Sequence, residues 1–343
     1  MKNNKKNKKI QTVLDRILGY CIATCFVIGV FGLGIVYVAT KGPSDALKDK
    51  FVRTFVETRR FGFVPHLFLT DEEVEQYNNY ETGMYSAAGT DTDTSLISLE
   101  SAETAVDANG VDKYGLQYTD GVNYSEIRYK GSTCYMITIL DPTRVYVGKP
   151  ESYGGYGLVL EDMVAKNGAL GGINAGAFLD YSGAGTGGDP AGITIIDGIC
   201  YNDQSTGSVA GLTEDGMLYC GWYDYQQCVD FGFKYAVSFN PVLIINGCMV
   251  GEDSLEGGIN PRTCIGQRDD GAIVMLAVDG RQAYSIGLSQ KDCAEFLLSY
   301  GVVNAINMDG GSSTCMYYGG EIVNHPSGAA GGTRYLPTAW LYK

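Results

Sequence analysis

The stretch VVNAINMDGGSS, residues 302–313, decides the fold of this chain because an apolar run ends in an aspartate, two glycines and two serines. Short apolar runs bounded by turn residues are typical of buried strands. The glycines can adopt turn conformations that let backbone N–H groups approach a ligand, and the serines add hydroxyl donors. The stretch therefore predicts a strand that delivers Asp309 to a loop suited to an anionic or sugar-hydroxyl ligand.

A second stretch, AIVMLAVDGR at 272–281, also ends in an Asp-Gly pair, and a capped helix pattern occupies residues 289–301 between the two. If the two strands are parallel neighbours joined by this helix, Asp279 and Asp309 both emerge at carboxyl ends, where ligands bind in open α/β sheets. Strand alternation also places Asn307 and Asp309 on one face. Asp-Gly alone is an ordinary turn dipeptide. Two such pairs at matched strand ends favour a shared site.

The sequence pattern from Lys113 to Lys343 is typical of one mixed globular domain. Apolar runs such as CYMITIL, PVLIIN and AIVMLAV suit buried strands, and LVLEDMVAKNG is a helix pattern that ends at Gly168. We therefore predict an α+β domain over residues 113–343, with a mixed β-sheet core, flanking helices and a single transmembrane helix ahead of it.

The first 112 residues divide into four segments by composition. We predict a basic cytoplasmic tail at 1–17, a transmembrane helix at 18–39, a juxtamembrane amphipathic helical segment at 40–80 and a flexible acidic linker at 81–112. The amphipathic segment has a basic polar face, so it suits either the lipid surface or packing against the rest of the protein.

The segment from Leu18 to Ala39 contains 22 residues without a charge, which is enough to cross a bilayer core of about 30 Å as a helix. A cleavable signal peptide is the competing interpretation, but the apolar run exceeds the usual length of about 7–15 residues and no small-residue cleavage site follows. Basic residues lie on both sides of the span. We favour a cytoplasmic N-terminus and an extracytoplasmic body at the cell membrane.

Charge and cysteine content limit the classes of function. The chain carries a formal charge of −14, and the first sixteen residues hold six of its 25 basic residues but one of its 39 acidic residues. The remaining body is therefore strongly acidic and disfavours nucleic-acid binding. The ten cysteines form no Cys/His zinc pattern, and several lie in apolar runs, so we expect mostly free thiols. The oligomeric state cannot be deduced.

Nucleophilic serine chemistry is not indicated. The chain has no G-x-S-x-G motif, and His325 is the only histidine in the globular part, so a Ser/His/Asp triad is not expected. In its context, VNHPSG, His325 is interpreted as a turn residue near the site.

Five motifs together resemble the phosphodiester glycosidase domain family over about residues 120–343. They are NAGAF at 174–178, RTCIG at 262–266, VDGR at 278–281, NMDGGSS at 307–313, and the tail IVNHPSG with GGTRYLPTAWLYK. Bacterial relatives of this family are often described as exopolysaccharide-related. The family more often has Asn-Gly-Gly-Phe-Phe where this chain has NAGAF, so we expect a different pocket wall there, and the resemblance does not fix the sugar preference.

The resemblance implies an extracytoplasmic hydrolase that cleaves the glycosidic bond of sugar-1-phosphodiesters, with a glycan or sugar phosphate as its substrate. It implies catalytic roles for Asp309, Asp279, Arg281 and Arg262. It implies substrate-binding roles for Asn174, Gly176, Asn307, Gly310, Gly311, Ser312, Ser313 and Arg334.

The residue types fit that reaction. The leaving group, a phosphate monoester, is weakly basic, so a strong general acid is less necessary than in ordinary glycosidases. Arginines bind phosphate bidentately, and glycine N–H groups supplement them. Asp309 is interpreted as nucleophile or general base, and Asp279 either orients the sugar or acts as the partner of Asp309. No cofactor is required, although both aspartates would also suit Ca²⁺ or Mg²⁺. A glycan-binding protein without activity and a metal-dependent phosphodiesterase stay open as alternatives.

Overall fold

The computed structural model describes residues 2–58, 61–78, 92–99, 105–179, 185–205, 207–251, 255, 257–328 and 332–343. The chain divides into two compact units, Met1–Asn78 and Asn79–Lys343.

The smaller unit is helical. Its helices are α1 Lys2–Lys41, α2 Asp45–Val56 and α3 Asp71–Asn78, with a short 3₁₀ helix at Pro65–Leu67. The predicted basic tail and the predicted span thus form one continuous helix, in which Val13–Lys41 is long and apolar enough to cross a membrane.

The juxtamembrane part of this unit packs against itself. Val52 of α2 is buried together with Leu69 and Val74. The Tyr37 and Phe68 rings meet edge to face at 5.5 Å. Helix α2 thus buries Val52 within the unit, whereas Leu47 of the same amphipathic pattern is 49% exposed.

The larger unit contains three antiparallel sheets and three α-helices among its described residues. The helices are α4 Leu160–Asn167, α5 Tyr225–Asp230 and α6 Gln290–Ser299. The strands are β1 Val122–Tyr129, β2 Ser132–Ile139, β3 Val145–Gly148, β4 Gly171–Asn174, β5 Thr194–Ile196, β6 Ile199–Asn202, β7 Val209–Thr213, β8 Leu218–Gly221, β9 Phe233–Ser238, β10 Val242–Ile245, β11 Cys248–Met249, β12 Arg262–Arg268, β13 Ile273–Val278, β14 Val302–Met308, β15 Met316–Tyr318, β16 Glu321–Ile322 and β17 Ala339–Tyr342.

The two helices expected from the sequence form where their caps are. Ser289 and Asp292 make a capping box at the start of α6, and Gly168 ends α4 in the left-handed conformation with φ of 64°. The predicted α+β fold, with a mixed core and flanking helices, is confirmed.

The largest sheet has the order β1-β2-β13-β12-β14-β10-β11. The predicted direct pairing of β13 with β14 is wrong, because β12 lies between them and pairs antiparallel with both. Strands β12 and β13 form a hairpin, and β14 pairs with the other edge of β12. Strands β13 and β14 still run in the same direction, so their carboxyl ends reach the same edge of the sheet.

One apolar core joins all three sheets. Ile137 from the largest sheet, Ile173 from the sheet ordered β16-β15-β4-β17-β3, and Val237 from the sheet ordered β6-β5-β9-β7-β8 belong to it. On the other side of the largest sheet, Phe296 and Leu297 of α6 are buried against it. The sheet edge that carries the aspartates is therefore fixed from both faces.

Two described parts of the predicted linker, 92–99 and 105–112, belong to the larger unit and pack within it. Ile97 is buried with Met217 and Val303. Asp93 and Asp107 accept hydrogen bonds from backbone N–H groups of their own turns. The expectation of a flexible spacer does not hold for these parts, since the carboxylates that lower the mean hydropathy also cap turns. The other residues of 81–112 lie outside the described residues.

Asp112 has a particular structural role, because it ion-pairs with Arg268 at 2.7 Å while both side chains are fully buried. Arg268 also contacts Asp270, and Tyr118 donates to Asp112 at 2.9 Å. The globular unit therefore starts before Lys113.

Candidate functional site

The site lies at the edge where β13 and β14 end and β12 begins. Asp279 follows β13, Asp309 follows β14, and Arg262 is the first residue of β12. Because adjacent strands lie about 4.8 Å apart, the two aspartate-bearing strand ends are separated by about 10 Å. The sheet thus brings together, at one edge, acidic residues that are 30 positions apart in the sequence.

Asn174, at the end of β4, fixes the start of the loop that follows β14. Its Nδ2 donates to the carbonyl of Asp309 at 2.6 Å, and its Oδ1 accepts from Thr263 Oγ1 at 2.8 Å and from the Cys315 N–H at 3.1 Å. The side chain is fully buried. Asn174 therefore acts on the site through the backbone of the loop.

The two glycines of this loop are required for different reasons. Gly311 has φ of 60°, and its N–H donates to the Pro261 carbonyl at 2.9 Å. A Cβ on Gly310 would lie 2.9 Å from that same carbonyl oxygen. Gly310 therefore allows the close approach to Pro261, and Gly311 allows the left-handed backbone of the turn.

Arg281 places its guanidinium against the loop. It has an unusual backbone φ of 60°, and its side chain donates to Asn260 Oδ1 at 2.9 Å. A Cβ built on Gly311 would lie 3.4 Å from both terminal nitrogens of Arg281. The strained turn after Asp279 thus directs an exposed arginine over Gly311.

Arg334 contacts the loop next to Gly311. Its Nη1 donates to Ser312 Oγ at 3.2 Å, and its guanidinium lies 4.8 Å from the centre of the Phe178 ring. Stacking on an aromatic ring holds the planar guanidinium in one orientation. Arg281 and Arg334 therefore both contact the 309–313 loop, at its second glycine and its first serine.

Tyr335, the residue after Arg334, forms an exposed aromatic pair with Tyr156. The Tyr156 and Tyr335 rings meet edge to face with centroids 5.4 Å apart. Their exposed fractions are 69% and 45%. Such a pair offers flat aromatic surface that begins one residue along the chain from Arg334.

Arg262 and Asn307 are buried and bind backbone carbonyls. Arg262 donates to Leu288 O at 3.1 Å and to Gly258 O, and Asn307 Nδ2 donates to Asn240 O at 2.8 Å. Leu288 belongs to the core on the α6 side of the sheet, so Arg262 extends to that side.

Gly176 and Ser313 are also buried beside the loop. The Gly176 N–H donates to Thr338 Oγ1 at 3.2 Å. The Ser313 hydroxyl has no hydrogen-bond partner among the described residues. Gly176 thus belongs to the wall of the core, whereas Ser313 keeps a hydroxyl without a protein partner.

Asp279 is saturated with hydrogen bonds. Its Oδ1 accepts from the backbone N–H of His325 at 2.8 Å and from Asn324 Nδ2 at 3.2 Å. Its Oδ2 accepts from Tyr135 at 3.2 Å and lies 3.1 Å from His325 Nδ1. The carboxylate is fully buried. All four lone-pair positions are therefore used by the protein.

Among the residues that surround Asp279, sequence reasoning placed His325 near the site as a turn residue and gave no role to Tyr135 or Asn324. Tyr135 lies inside an ordinary apolar strand, and nothing in its neighbourhood signals a site. Asn324 and His325 stand in the VNHPSG tail, which was noted as a turn. Their common orientation toward Asp279 results from tertiary contacts 45 residues or more apart in sequence.

No group of three or more His, Cys, Asp or Glu side chains that could hold a metal ion occurs within the described parts of the chain. The oxygens of Asp279 are engaged with protein donors instead. All ten cysteines are free thiols.

Comparison with protein-family models matches residues 167–343, more than half of the chain, to a model described as phosphodiester glycosidase. The chain is 33% identical over 135 residues to bovine N-acetylglucosamine-1-phosphodiester alpha-N-acetylglucosaminidase, covering 34% of this chain and 25% of that protein. It is 29% identical over 171 residues to the SPbeta prophage-derived uncharacterized protein YomE of Bacillus subtilis (strain 168), covering 43% and 25%. The chain thus spans about a quarter of the length of these relatives.

Among solved structures, the chain resembles the zebrafish N-acetylglucosamine-1-phosphodiester alpha-N-acetylglucosaminidase catalytic domain auto-inhibited by pro-peptide. The TM-score is 0.55 at 22% identity, with 64% of this chain and 81% of that one covered. A hypothetical protein from Synechocystis gives 0.53 at 16% identity, covering 65% and 62%. At these identities the likeness shows the fold alone.

Proposed function

This chain belongs to the phosphodiester glycosidase family, and from that membership we propose that it is a hydrolase of sugar-1-phosphodiesters. The bond cleaved is the glycosidic bond between the anomeric carbon and the phosphate oxygen. A sugar of the N-acetylglucosamine type is the first choice, because the curated bovine relative is named for that substrate.

The observation that carries this proposal is the contact of two arginines with one glycine-containing loop. Arg281 lies against Gly311 and Arg334 binds Ser312, so a phosphate at this loop would meet guanidinium groups together with a backbone turn. Planar guanidinium groups bind phosphate bidentately. Among the family-implied residues, this pair suits a phosphate clamp better than buried Arg262.

Asp309 is the carboxylate that we assign to the reacting sugar. It directly precedes the loop, and its position is fixed by the bond from Asn174 to its own carbonyl. A carboxylate there would stabilise positive charge at the anomeric carbon, or attack it, while the arginines stabilise the leaving phosphate. Three buried residues hold the surrounding backbone in place through hydrogen bonds, namely Asp279, Asn174 and Asn307.

The substrate that we favour is an extended surface polymer, such as an exopolysaccharide or a teichoic-acid-like chain. Tyr156 and Tyr335 support this choice, because an exposed aromatic pair that begins one residue from Arg334 can stack on further sugar rings. The apolar helix Val13–Lys41 would hold the enzyme in the cell membrane with its domain on the extracytoplasmic side.

The test uses the full chain in detergent with a panel of sugar-1-phosphate diesters in water enriched in ¹⁸O. We expect free sugar carrying the label, and a loss of at least 100-fold in kcat for Asp309→Asn. Asp230→Asn, an exposed carboxylate on α5, serves as the matched control. Full activity in Asp309→Asn would contradict the assignment.

The products also separate the alternatives. Sugar phosphate with label in the phosphate, formed only when a divalent cation is present, would show a metal-dependent phosphodiesterase. Saturable binding without turnover across the panel would show a glycan-binding protein.

A further inference from the structure

His325 combines an exposed ring with a buried acidic partner. Its side chain is 62% exposed, whereas the Asp279 carboxylate that faces its Nδ1 is fully buried. The His325 backbone is fixed on both sides, because its N–H donates to Asp279 Oδ1 at 2.8 Å and its carbonyl accepts from Gln282 Nε2 at 2.7 Å. The ring is therefore held in place although it faces solvent.

The hydrogen bonds around Asp279 Oδ2 indicate which nitrogen of the His325 ring carries the hydrogen. Burial and the adjacent Asp279 carboxylate raise the pKa of Tyr135, so its hydroxyl keeps its hydrogen and donates to Asp279 Oδ2 at 3.2 Å. His325 Nδ1 lies 3.1 Å from the same oxygen and 3.2 Å from the Tyr135 hydroxyl. Because the Tyr135 hydrogen points to the carboxylate and Asp279 Oδ2 can only accept, the favourable tautomer of His325 carries its hydrogen on Nδ1. Nε2 is then the ring nitrogen with a free lone pair.

The exposed side of this ring belongs to the same sheet edge as the phosphate clamp. Arg281, whose guanidinium lies against Gly311, is two residues beyond Asp279. The groups around the imidazole are Asp279, Tyr135 and Tyr284, whose ring centroid is 5.9 Å from that of His325. Farther out on β1, Glu126 adds a negative charge that Tyr135 also senses.

We propose that His325 is a catalytic residue of this site, the general base for the attacking water, and that Asp279 and Tyr135 are its positioning residues. This inference rests on the proposed function and deepens it. Asp279 cannot itself serve as a base toward substrate, because its oxygens are buried and engaged.

The proton and electron balance is simple. As water attacks the anomeric carbon, the new C–O bond forms and the bond from that carbon to the phosphate oxygen breaks, with its electron pair leaving on the phosphate monoester. The water proton passes to His325 Nε2, and Asp279 stabilises the imidazolium until the proton is lost to solvent. Asp309 then stabilises positive charge at the anomeric carbon.

A purely structural role for His325 is the competing explanation, and the pH profile of kcat distinguishes the two. In the full chain acting on a sugar-1-phosphate methyl diester, kcat should fall on acidification, because a protonated base cannot accept the water proton. His325→Gln should lower kcat by 100-fold to 10,000-fold and abolish that acidic limb. Asp279→Asn should move the limb to lower pH, because a neutral amide no longer stabilises the imidazolium.

His66→Gln is the matched control, since His66 is the other histidine of the chain and lies in the helical unit. It should retain kcat and the acidic limb. Thermal unfolding of each variant checks that it folds. A change in thermal stability without a change in the pH profile would mean that His325 is structural, and would overturn the inference.

The outcomes also distinguish a failure of the His325 inference from a failure of the proposed function. If the wild type turns over and His325→Gln keeps both kcat and its acidic limb, the inference is wrong and the proposed function stands. If the wild type releases free sugar from none of the diesters, the proposed function fails, and this inference fails with it.

Discussion

Asn174 donates its side-chain amide to the main-chain carbonyl of Asp309 at 2.6 Å, across 135 positions of sequence. This bond ties the end of β4 in one sheet to the end of β14 in another. The carboxylate of Asp309 is therefore positioned by a residue that need not touch the substrate.

Removing this bond should cost stability and order in the loop. We expect Asn174→Ala to lower the free energy of unfolding by about 2–3 kcal/mol, because it leaves the Thr263 hydroxyl and two buried backbone groups without their partner. Urea unfolding of the full chain measures the change. Asn109→Ala, at an exposed turn, should remain within about 0.5 kcal/mol of the wild type. Equal effects at the two positions would refute the structural role of Asn174.

The loop glycines allow a matched comparison. Gly311 and Gly319 have φ values of 60° and 62°, but only a Cβ on Gly311 would approach the Arg281 guanidinium. Both alanine variants should lose about 1 kcal/mol of stability from backbone strain. Only Gly311→Ala should raise KM, by about 10-fold, since its methyl group would contact the Arg281 guanidinium where the phosphate is proposed to bind. Enzyme kinetics and thermal unfolding together give the result, and equal KM values would exclude the clamp at this position.

The arginine pair should depend on shape as well as charge. We expect Arg281→Lys and Arg334→Lys each to raise KM for a sugar-1-phosphodiester by about 10-fold, because lysine keeps the charge but cannot bind phosphate bidentately. Initial-rate kinetics measures the change. Arg128→Lys, on an exposed position of β1, is the control and should leave KM unaltered. A clamp role is ruled out for any arginine whose lysine variant behaves like this control.

The tyrosine pair should matter only for long substrates. Tyr156→Ala and Tyr335→Ala should each lower kcat/KM for a polymer by about 10-fold, because aromatic stacking contributes about 1 kcal/mol, and should leave a methyl diester unaffected. Competition between the two substrates in one assay measures the ratio directly. Leu170→Ala, which removes an apolar side chain that is also exposed, is the control. An identical loss on both substrates would argue against a polymer subsite.

The buried ion pair at the opposite end of β12 should govern acid stability. Burial alone would raise the pKa of Asp112, but hydrogen bonds from Arg268, from Tyr118 and from backbone N–H groups outweigh it and leave the pKa lowered. A lowered folded-state pKa contributes stability above the unfolded value of about 3.9, and the contribution is lost as the pH falls through the folded-state pKa.

Asp112→Asn should therefore destabilise the protein by about 3–5 kcal/mol at pH 7. The difference from the wild type should begin to shrink below about pH 4, where Asp112 of the unfolded chain becomes protonated, and should continue to shrink as the pH falls through the lowered pKa of the folded protein. Urea unfolding at pH 7 and pH 3 checks both statements. Lys113→Met breaks the adjacent exposed pair with Asp269 and should cost less than about 1 kcal/mol. A Lys113→Met effect as large as that of Asp112→Asn would contradict the distinction.

Local patterns were enough to predict the elements. Hydrophobic runs located β13 and β14, and the caps at Ser289 and Gly168 located α6 and α4, because these signals act over a few residues. The direct pairing of β13 with β14 failed, because strand order depends on competition with β12, which no local signal encodes. The acidic segment before Lys113 was misjudged for the same reason, since the partner of Asp112 is 156 positions away.

The sequence by itself determined the apolar N-terminal helix, the α+β class, and the motifs that end in Asp279 and Asp309. Only the tertiary structure decided what each aspartate can do. Asp279 is surrounded by Tyr135, Asn324 and His325, so its carboxylate holds a histidine in place. The physical reason is that hydrogen-bond saturation and burial depend on residues from distant strands, and the chain reveals these neighbours only when it is folded.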